Sequence, residues 1–263
     1  MYNFDDNTLL VYDDFGLNQN EYSANPYLLI DKNNGNVVDA LDIHLPVRIS
    51  NWVIIEVEVD GKKGNAALTL SINNNRSFGE NFLIADWSSD TIYRLTPQKE
   101  LLPVMVRKPS IQNSDPKIVI SNELVTDKYI FLTKAVFDFE VAKNTRMFPT
   151  MNLMYDFNSG QLSEYKLINK DYEARDVGFA TAQTPKNTGV YTLDIARLFE
   201  ADEAGKVKGD LKQLLKMLDE DDNPVLVKVS FFLNQDRKKR VRHTEYSRNR
   251  LNCTKFEYML CTS

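Results

Sequence analysis

Along most of the chain, apolar and polar residues alternate with a period of two or gather in short apolar runs. A strand imposes that period, because its successive side chains point to opposite faces. The pattern predicts strands over 8–13, 27–31, 37–43, 52–59, 66–72, 81–86, 91–95 and 101–106. It predicts others over 117–120, 129–137, 151–156, 161–168, 178–182 and 225–233. These segments are rich in Val, Ile, Leu, Tyr and Phe, which suit a half-buried pleated surface. Polar clusters punctuate them: Lys32-Asn33-Asn34-Gly35-Asn36, Asp60-Gly61-Lys62-Lys63-Gly64, Asn73-Asn74-Asn75, Pro97-Gln98-Lys99 and Asn158-Ser159-Gly160. One region has the helical period instead, over 194–203 and 208–218. There Leu211, Leu214, Leu215 and Leu218 share a face, with Lys212 and Lys216 on the water side. Gly205 and Gly209 separate the two helices, and Asn223-Pro224 ends the helical region.

A strand, a tight polar turn and a second strand recur three times, over 28–38, 92–102 and 153–162. Their turns centre on Asn34, Gln98 and Ser159, a spacing of roughly 60 residues. An apolar strand ending in Asp also recurs, as Leu10-Val11-Tyr12-Asp13 and Leu83-Ile84-Ala85-Asp86. Repeated antiparallel units of four short strands are the signature of a propeller. A sandwich of two face-packed sheets is the rival. The repeat favours the propeller. The expected fold class is all-β: a β-propeller of about four blades, with a short two-helix insertion at 194–218.

Asn81-Phe82-Leu83-Ile84-Ala85-Asp86-Trp87-Ser88-Ser89-Asp90-Thr91-Ile92-Tyr93-Arg94-Leu95 resembles a blade of NHL-like propellers. With Leu101-Leu102-Pro103-Val104-Met105-Val106-Arg107-Lys108-Pro109-Ser110, it resembles the six-bladed β-propeller lipoproteins of Bacteroides-type gut bacteria. Asn152-Leu153-Met154-Tyr155-Asp156 and Asp221-Asp222-Asn223-Pro224-Val225-Leu226-Val227 fit the same family. The likeness covers residues 1–232. Its motifs are blade patterns, specific for fold and weak for chemistry. It implies a secreted, lipid-anchored protein of the cell envelope without an established activity. Members of that family are longer and begin with a lipoprotein signal. The resemblance therefore implies the C-terminal portion of a truncated six-bladed ring.

Composition narrows the function classes. The chain has 263 residues, 43% hydrophobic and 26% charged, with a net charge of -5. That balance excludes a globally basic nucleic-acid binder, and 11% aromatic residues argue against intrinsic disorder. No apolar stretch is long enough to cross a membrane as a helix. The first seven residues, Met1-Tyr2-Asn3-Phe4-Asp5-Asp6-Asn7, lack the basic and apolar regions of a secretory signal. Any membrane association is thus expected only through a lipid anchor absent from this chain. The charge is uneven, with +5 on residues 234–263 and -10 on residues 1–233. The expected organisation is propeller blades over 1–233 and a basic tail over 234–263, flexible or non-native. Cys253 and Cys261 both lie in that tail, which excludes a disulfide scaffold or thiolate metal site in the body.

Candidate chemistry centres on Asp86-Trp87-Ser88-Ser89-Asp90. A tryptophan on a propeller turn can stack on a sugar ring, with flanking carboxylates accepting hydroxyl hydrogen bonds. Arg107, after the next strand, can add charge for an anionic ligand. The ligand-binding candidates are therefore Asp86, Trp87, Asp90 and Arg107. The competing reading packs Trp87 between blades and uses both Asp residues to satisfy turn N–H groups. Asp13, Asp14, Asp86, Asp90 and Asp156 end strands and are the candidates for glycosidase-type carboxylate pairs, though no fixed separation pairs any two. Asp219-Glu220-Asp221-Asp222 lacks the glycine and ligand alternation of a calcium loop. His44 and His243 are the only histidines and offer no evident nucleophile partner. The Arg237–Arg242 run can attract nucleic acid or anionic lipid, but no nucleic acid is expected at the body. No catalytic residue, metal or cofactor is expected. The leading expectation is a non-enzymatic binding or scaffold module whose partner is a glycan or a protein. The alternatives are a glycan hydrolase or lyase using a carboxylate pair, and a cytosolic interaction protein with a basic tail.

Overall fold

The computed structural model describes residues 1–13, 25–45, 48–49, 52–59, 61–69, 75–145, 148–172, 175–176, 178–179, 187–231 and 255–260. The chain divides into two compact units. One is Met1–Asn122 with Lys134–Thr150; the other is Glu123–Thr133 with Met151–Ser263. The described fold is all-β with three short α-helices and one 3-10 turn at Ile111–Asn113.

Three four-stranded antiparallel meanders repeat along the described chain. The first is β1 (Tyr2–Asn3), β2 (Thr8–Tyr12), β3 (Tyr27–Asp31) and β4 (Val37–Ala40), paired in that order. A separate hairpin follows, β5 (Trp52–Val59) with β6 (Lys62–Thr69). The second meander is β7 (Asn75–Phe78), β8 (Asn81–Ile84), β9 (Thr91–Leu95) and β10 (Leu101–Val106). The third is β11 (Ile118–Val125), β12 (Tyr129–Val136), β13 (Thr150–Asp156) and β14 (Leu162–Glu164), with helix α1 (Phe139–Thr145) between its second and third strands. A short pair follows, β15 (Ile168–Asn169) and β16 (Arg175–Asp176). The last sheet is β17 (Thr188–Leu193), β18 (Val225–Ser230) and β19 (Lys255–Leu260), with α2 (Ile195–Glu203) and α3 (Gly209–Leu215) between its first two strands.

The three turns singled out by the sequence repeat occupy one topological position. Each joins the third and fourth strands of its meander. Two of them share their chemistry bond for bond. Asp31 Oδ1 accepts from the N–H groups of Asn33 and Asn34 at 2.7 and 3.2 Å. Asp156 Oδ1 accepts from Asn158 and Ser159 at 2.8 and 3.3 Å. Gly35 and Gly160 then take positive φ, 74° and 67°, the left-handed conformation that glycine adopts without a Cβ clash. The next residue after each Asp also behaves alike. Lys32 donates its N–H to Asn7 O, and Phe157 donates to Lys128 O, both at 2.9 Å. The second meander uses a shorter turn: Thr96 Oγ1 replaces the carboxylate and accepts from Glu100 N–H at 3.1 Å. Pro97, which has no N–H to give, stands where Lys32 and Phe157 stand.

Several elements depart from the sequence reading, each for a local reason. The β5–β6 turn tightens around Gly61 at φ 72°, so β6 starts at Lys62 where a longer turn was expected. Strand β7 is polar, Asn-Arg-Ser-Phe, and carries no period-two signal. Strand β17, absent from the sequence reading, contains Gly189. A Cβ there would meet the Phe179 ring at 2.4 Å, so the glycine admits a neighbour rather than ending a strand. The stretch expected as one strand over 161–168 holds β14 and the start of β15. Part of the segment expected to lie outside the fold takes part in it, since Lys255–Leu260 pairs with β18 from Val225 to Ser230.

Each unit has its own apolar centre. In the first, Leu10, Tyr27, Leu29, Phe82, Ile84 and Leu95 bring the faces of the first two meanders together. In the second, Phe131, Tyr191, Leu198, Leu211, Val225 and Val227 belong to one cluster. The two helices were placed correctly by their period. Asp194 caps α2 by accepting from Arg197 N–H at 3.0 Å. Ile195, Leu198 and Ala201 of α2, with Leu211 and Leu215 of α3, are the residues turned into the core.

Candidate functional site

The loop from Asp86 to Asp90 joins β8 to β9 and begins as an Asx turn. Asp86 Oδ1 accepts from Ser88 N–H at 2.8 Å. Ser89 Oγ accepts from Thr91 N–H and donates to Thr91 O, both at 3.0 Å. Ser88 Oγ accepts from Ile49 N–H at 2.8 Å. The loop is therefore held at both ends by its own short polar side chains.

Trp87 points inward and is 3% exposed. Its ring lies edge-on to Phe137 at 5.5 Å and 74°, in a cluster with Ile111, Val119, Ala142 and Phe148. The expectation of an exposed indole face is not met; the apolar surface that would stack on a sugar is covered by side chains. Asp86, Asp90 and Arg107 do come together. With Ser89, Ile92, Met105 and Ile120 they line a cleft in the first unit large enough for about one water.

Arg107 organises that cleft. Its Nε donates to Asp90 Oδ1 at 3.1 Å, its Nη2 to Trp87 O at 3.0 Å, and its Nη1 to Ile118 O. Its backbone N–H donates to Asp90 O at 2.9 Å. Asp90 Oδ1 also accepts from Ile111 N–H at 2.7 Å. The guanidinium thus ties the β8–β9 loop to the segment after β10 and to β11. Burial pushes the Asp90 carboxyl up, but hydrogen bonds from Ile111 N–H, Ser110 and Arg107 outweigh it and hold the carboxyl below its ordinary value.

Asp86 sits differently. It is buried, and Oδ2 accepts from the Tyr27 hydroxyl at 2.8 Å. Burial pushes its carboxyl above the ordinary value, against hydrogen bonds from Ser88, Tyr27 and Tyr12. The Tyr27 hydroxyl is pushed well up, by burial first and by the Asp86 charge second. Sequence reasoning did not find Tyr12, Tyr27 or Ile111 as members of this site. Tyr27 is 59 positions from its partner, and nothing in a strand pattern marks a buried tyrosine as a donor.

The other carboxylates do not converge here. Asp156 closes the β13–β14 turn and pairs with Lys128 at 3.7 Å. Asp13 gives its carbonyl to Arg48. In the acidic loop after α3, Asp219 N–H donates to Asp222 Oδ2 at 2.9 Å. His44 is exposed in a loop. Among the described residues, no group of three or more His, Cys, Asp or Glu side chains is placed to hold a metal ion. No described helix is long and apolar enough to cross a membrane. Asp14, Arg237–Arg242, His243, Cys253 and Cys261 lie outside the described residues.

No family model matches the chain, and no curated protein matches it. Among solved structures, the crystal structure of a Bacteroides fragilis NCTC 9343 protein described as a "Putative exported protein" is similar, with a TM-score of 0.51. The match covers 83% of this chain and 61% of that one, at 18% identity. At that identity the likeness is one of fold. The chain spans about three fifths of the neighbour's length.

Proposed function

We propose that the chain is a non-enzymatic binding or scaffold module of a Bacteroides-type cell envelope, and that its meanders are blades of a β-propeller. The carrying observation is the repeat: three four-stranded meanders, each with its turn at the third-to-fourth strand position. A propeller is assembled from units of that kind. The fold likeness to a Bacteroides fragilis protein described as exported supports the envelope location. A scaffold role fits the candidate site, where Asp86, Asp90 and Arg107 spend their polar groups on backbone and on one another. A hydrolase reading would need two carboxylates facing a substrate-sized cleft, and the space beside Asp86 and Asp90 is that of about one water. A ligand that is a glycan would bind elsewhere than on the indole of Trp87, which is covered.

Fractionation of cells carrying the native gene, followed by protease treatment of intact cells, tests the location. Recovery in the envelope fraction is expected, and recovery in the cytosol alone overturns the reading. A glycan array screened with the purified protein, beside an affinity capture from envelope extracts, separates the two classes of partner.

A further inference from the structure

Two meanders of the first unit meet through apolar side chains, and a buried polar contact crosses between them. Tyr27 belongs to β3 in the first meander, and Asp86 follows β8 in the second. Their 2.8 Å hydrogen bond is fully buried: Tyr27 is 0% exposed and Asp86 4%. Tyr12 of β2 packs on Tyr27 with ring centres 4.9 Å apart, and its hydroxyl also reaches the carboxyl. The partners of Asp86 are therefore neutral donors: two phenols, a backbone N–H and the Ser88 hydroxyl. Arg107 lies within electrostatic reach, but its ion pair is with Asp90. Tyr2 of β1 adds a further weak interaction with Tyr27.

We propose that Asp86, with Tyr27 and Tyr12, is an acid-tightened latch between the first and second meanders. A carboxylate taken out of water without a matched cation loses hydration that neutral donors replace only in part. A protonated carboxyl in the same place loses far less and keeps its hydrogen bonds. The elevated titration of Asp86 agrees with that environment. The sign follows from proton binding. Between the ordinary aspartate value, about 3.9 in an unfolded chain, and the raised folded value, the folded state holds more protons. The contribution to stability is fully present below the unfolded value and is lost as pH rises through the folded one. Acid closes the link and neutral pH relaxes it. This inference concerns the join between two meanders and stands apart from the envelope reading.

The test uses the intact chain. Carboxyl-carbon NMR follows the titration of Asp86, and hydrogen exchange in β3 and β8, corrected for its intrinsic pH dependence, follows the link itself. Asp86 is expected to titrate above the ordinary aspartate value, with exchange rising through the same midpoint. Asp86→Asn keeps the shape and an acceptor for Ser88 N–H but cannot ionise. Its exchange should lose that pH step, and its melting temperature should gain on the wild type as pH rises. Tyr27→Phe removes a donor to the anion and should move the Asp86 midpoint further up. If Asp86→Asn fails to fold, the wild-type titration and Tyr27→Phe decide. An Asp86 midpoint at or below the ordinary value, exchange flat through the midpoint, or a midpoint unmoved by Tyr27→Phe overturns the latch.

Discussion

Asp86 and Asp90 stand at the two ends of one short loop and have opposite surroundings. Asp86 is buried among neutral donors, so losing water dominates and its carboxyl is pushed up. Asp90 sits at the cleft with a guanidinium and a backbone N–H on the same oxygen, so hydrogen bonds outweigh burial and its carboxyl is held down. Their jobs differ accordingly. Asp86 joins one meander to another through Tyr27, while Asp90 anchors the segment after β10 through Arg107. Spacing and residue type made the two look like a matched pair flanking a ligand. Packing makes them separate structural devices, divided by an indole that faces inward.

The contrast is broken most severely by removing that indole. Trp87→Ala should cost about 3–5 kcal/mol of stability, the scale of an aromatic lost from a core, read in a denaturant melt. A variant that keeps its midpoint would return Trp87 to the surface. Arg107→Met should cost about 2–3 kcal/mol, because a hydrogen bond to a charged group is lost and buried acceptors go unpaired. In that variant Asp90 should titrate closer to an ordinary carboxylate. Asp86→Ala comes next, at about 1–3 kcal/mol for the buried Tyr27 and Ser88 donors it strands; Asp86→Asn should cost less at neutral pH.

Asp90→Asn is the mildest change, about 1 kcal/mol or less, because the carboxylate is partly exposed and its ion pair is screened. Its pH dependence sharpens the contrast. A depressed carboxyl contributes stability above its unfolded value and loses it as pH falls through the folded one. The gap between wild type and Asp90→Asn should therefore close on acidification. For Asp86→Asn the wild type should instead gain relative to the variant as pH falls. Equal slopes for the two variants would show that one environment governs both residues.

The hairpins were readable because what determines them lies within six residues. Asp31 with Gly35, and Asp156 with Gly160, specify turn, direction and the start of the next strand, and each set is contiguous. The site was readable in the loop itself and in one residue, Arg107, 17 positions beyond Asp90. Asp86, Asp90 and Arg107 were named, and the structure groups them around one cleft. Their decisive partners come from 59 positions away in Tyr27 and 21 in Ile111, separations that no local pattern encodes. Trp87 was left between a ligand-facing and a packed reading for a related reason: a tryptophan in a polar turn has the same sequence whether it faces water or Phe137. In strand β17 the need for Gly189 is tertiary, the approach of the Phe179 ring, and no local pattern states it.

The self-contained turns also bear on how the chain reaches its fold during synthesis. A hairpin closes in roughly 1–10 μs, whereas a ribosome adds roughly 5–20 residues each second, so about 60 residues take several seconds. Each third-to-fourth strand pair therefore samples its turn many times before the next such turn emerges. The carboxylate of Asp31 or Asp156 selects among registers using groups already outside the ribosome, without waiting for a neighbouring sheet. Slippage by one residue would turn every side chain of the hairpin to the wrong face. The groups that set the alignment of these strand pairs thus lie within each turn and are complete before the next such turn is made.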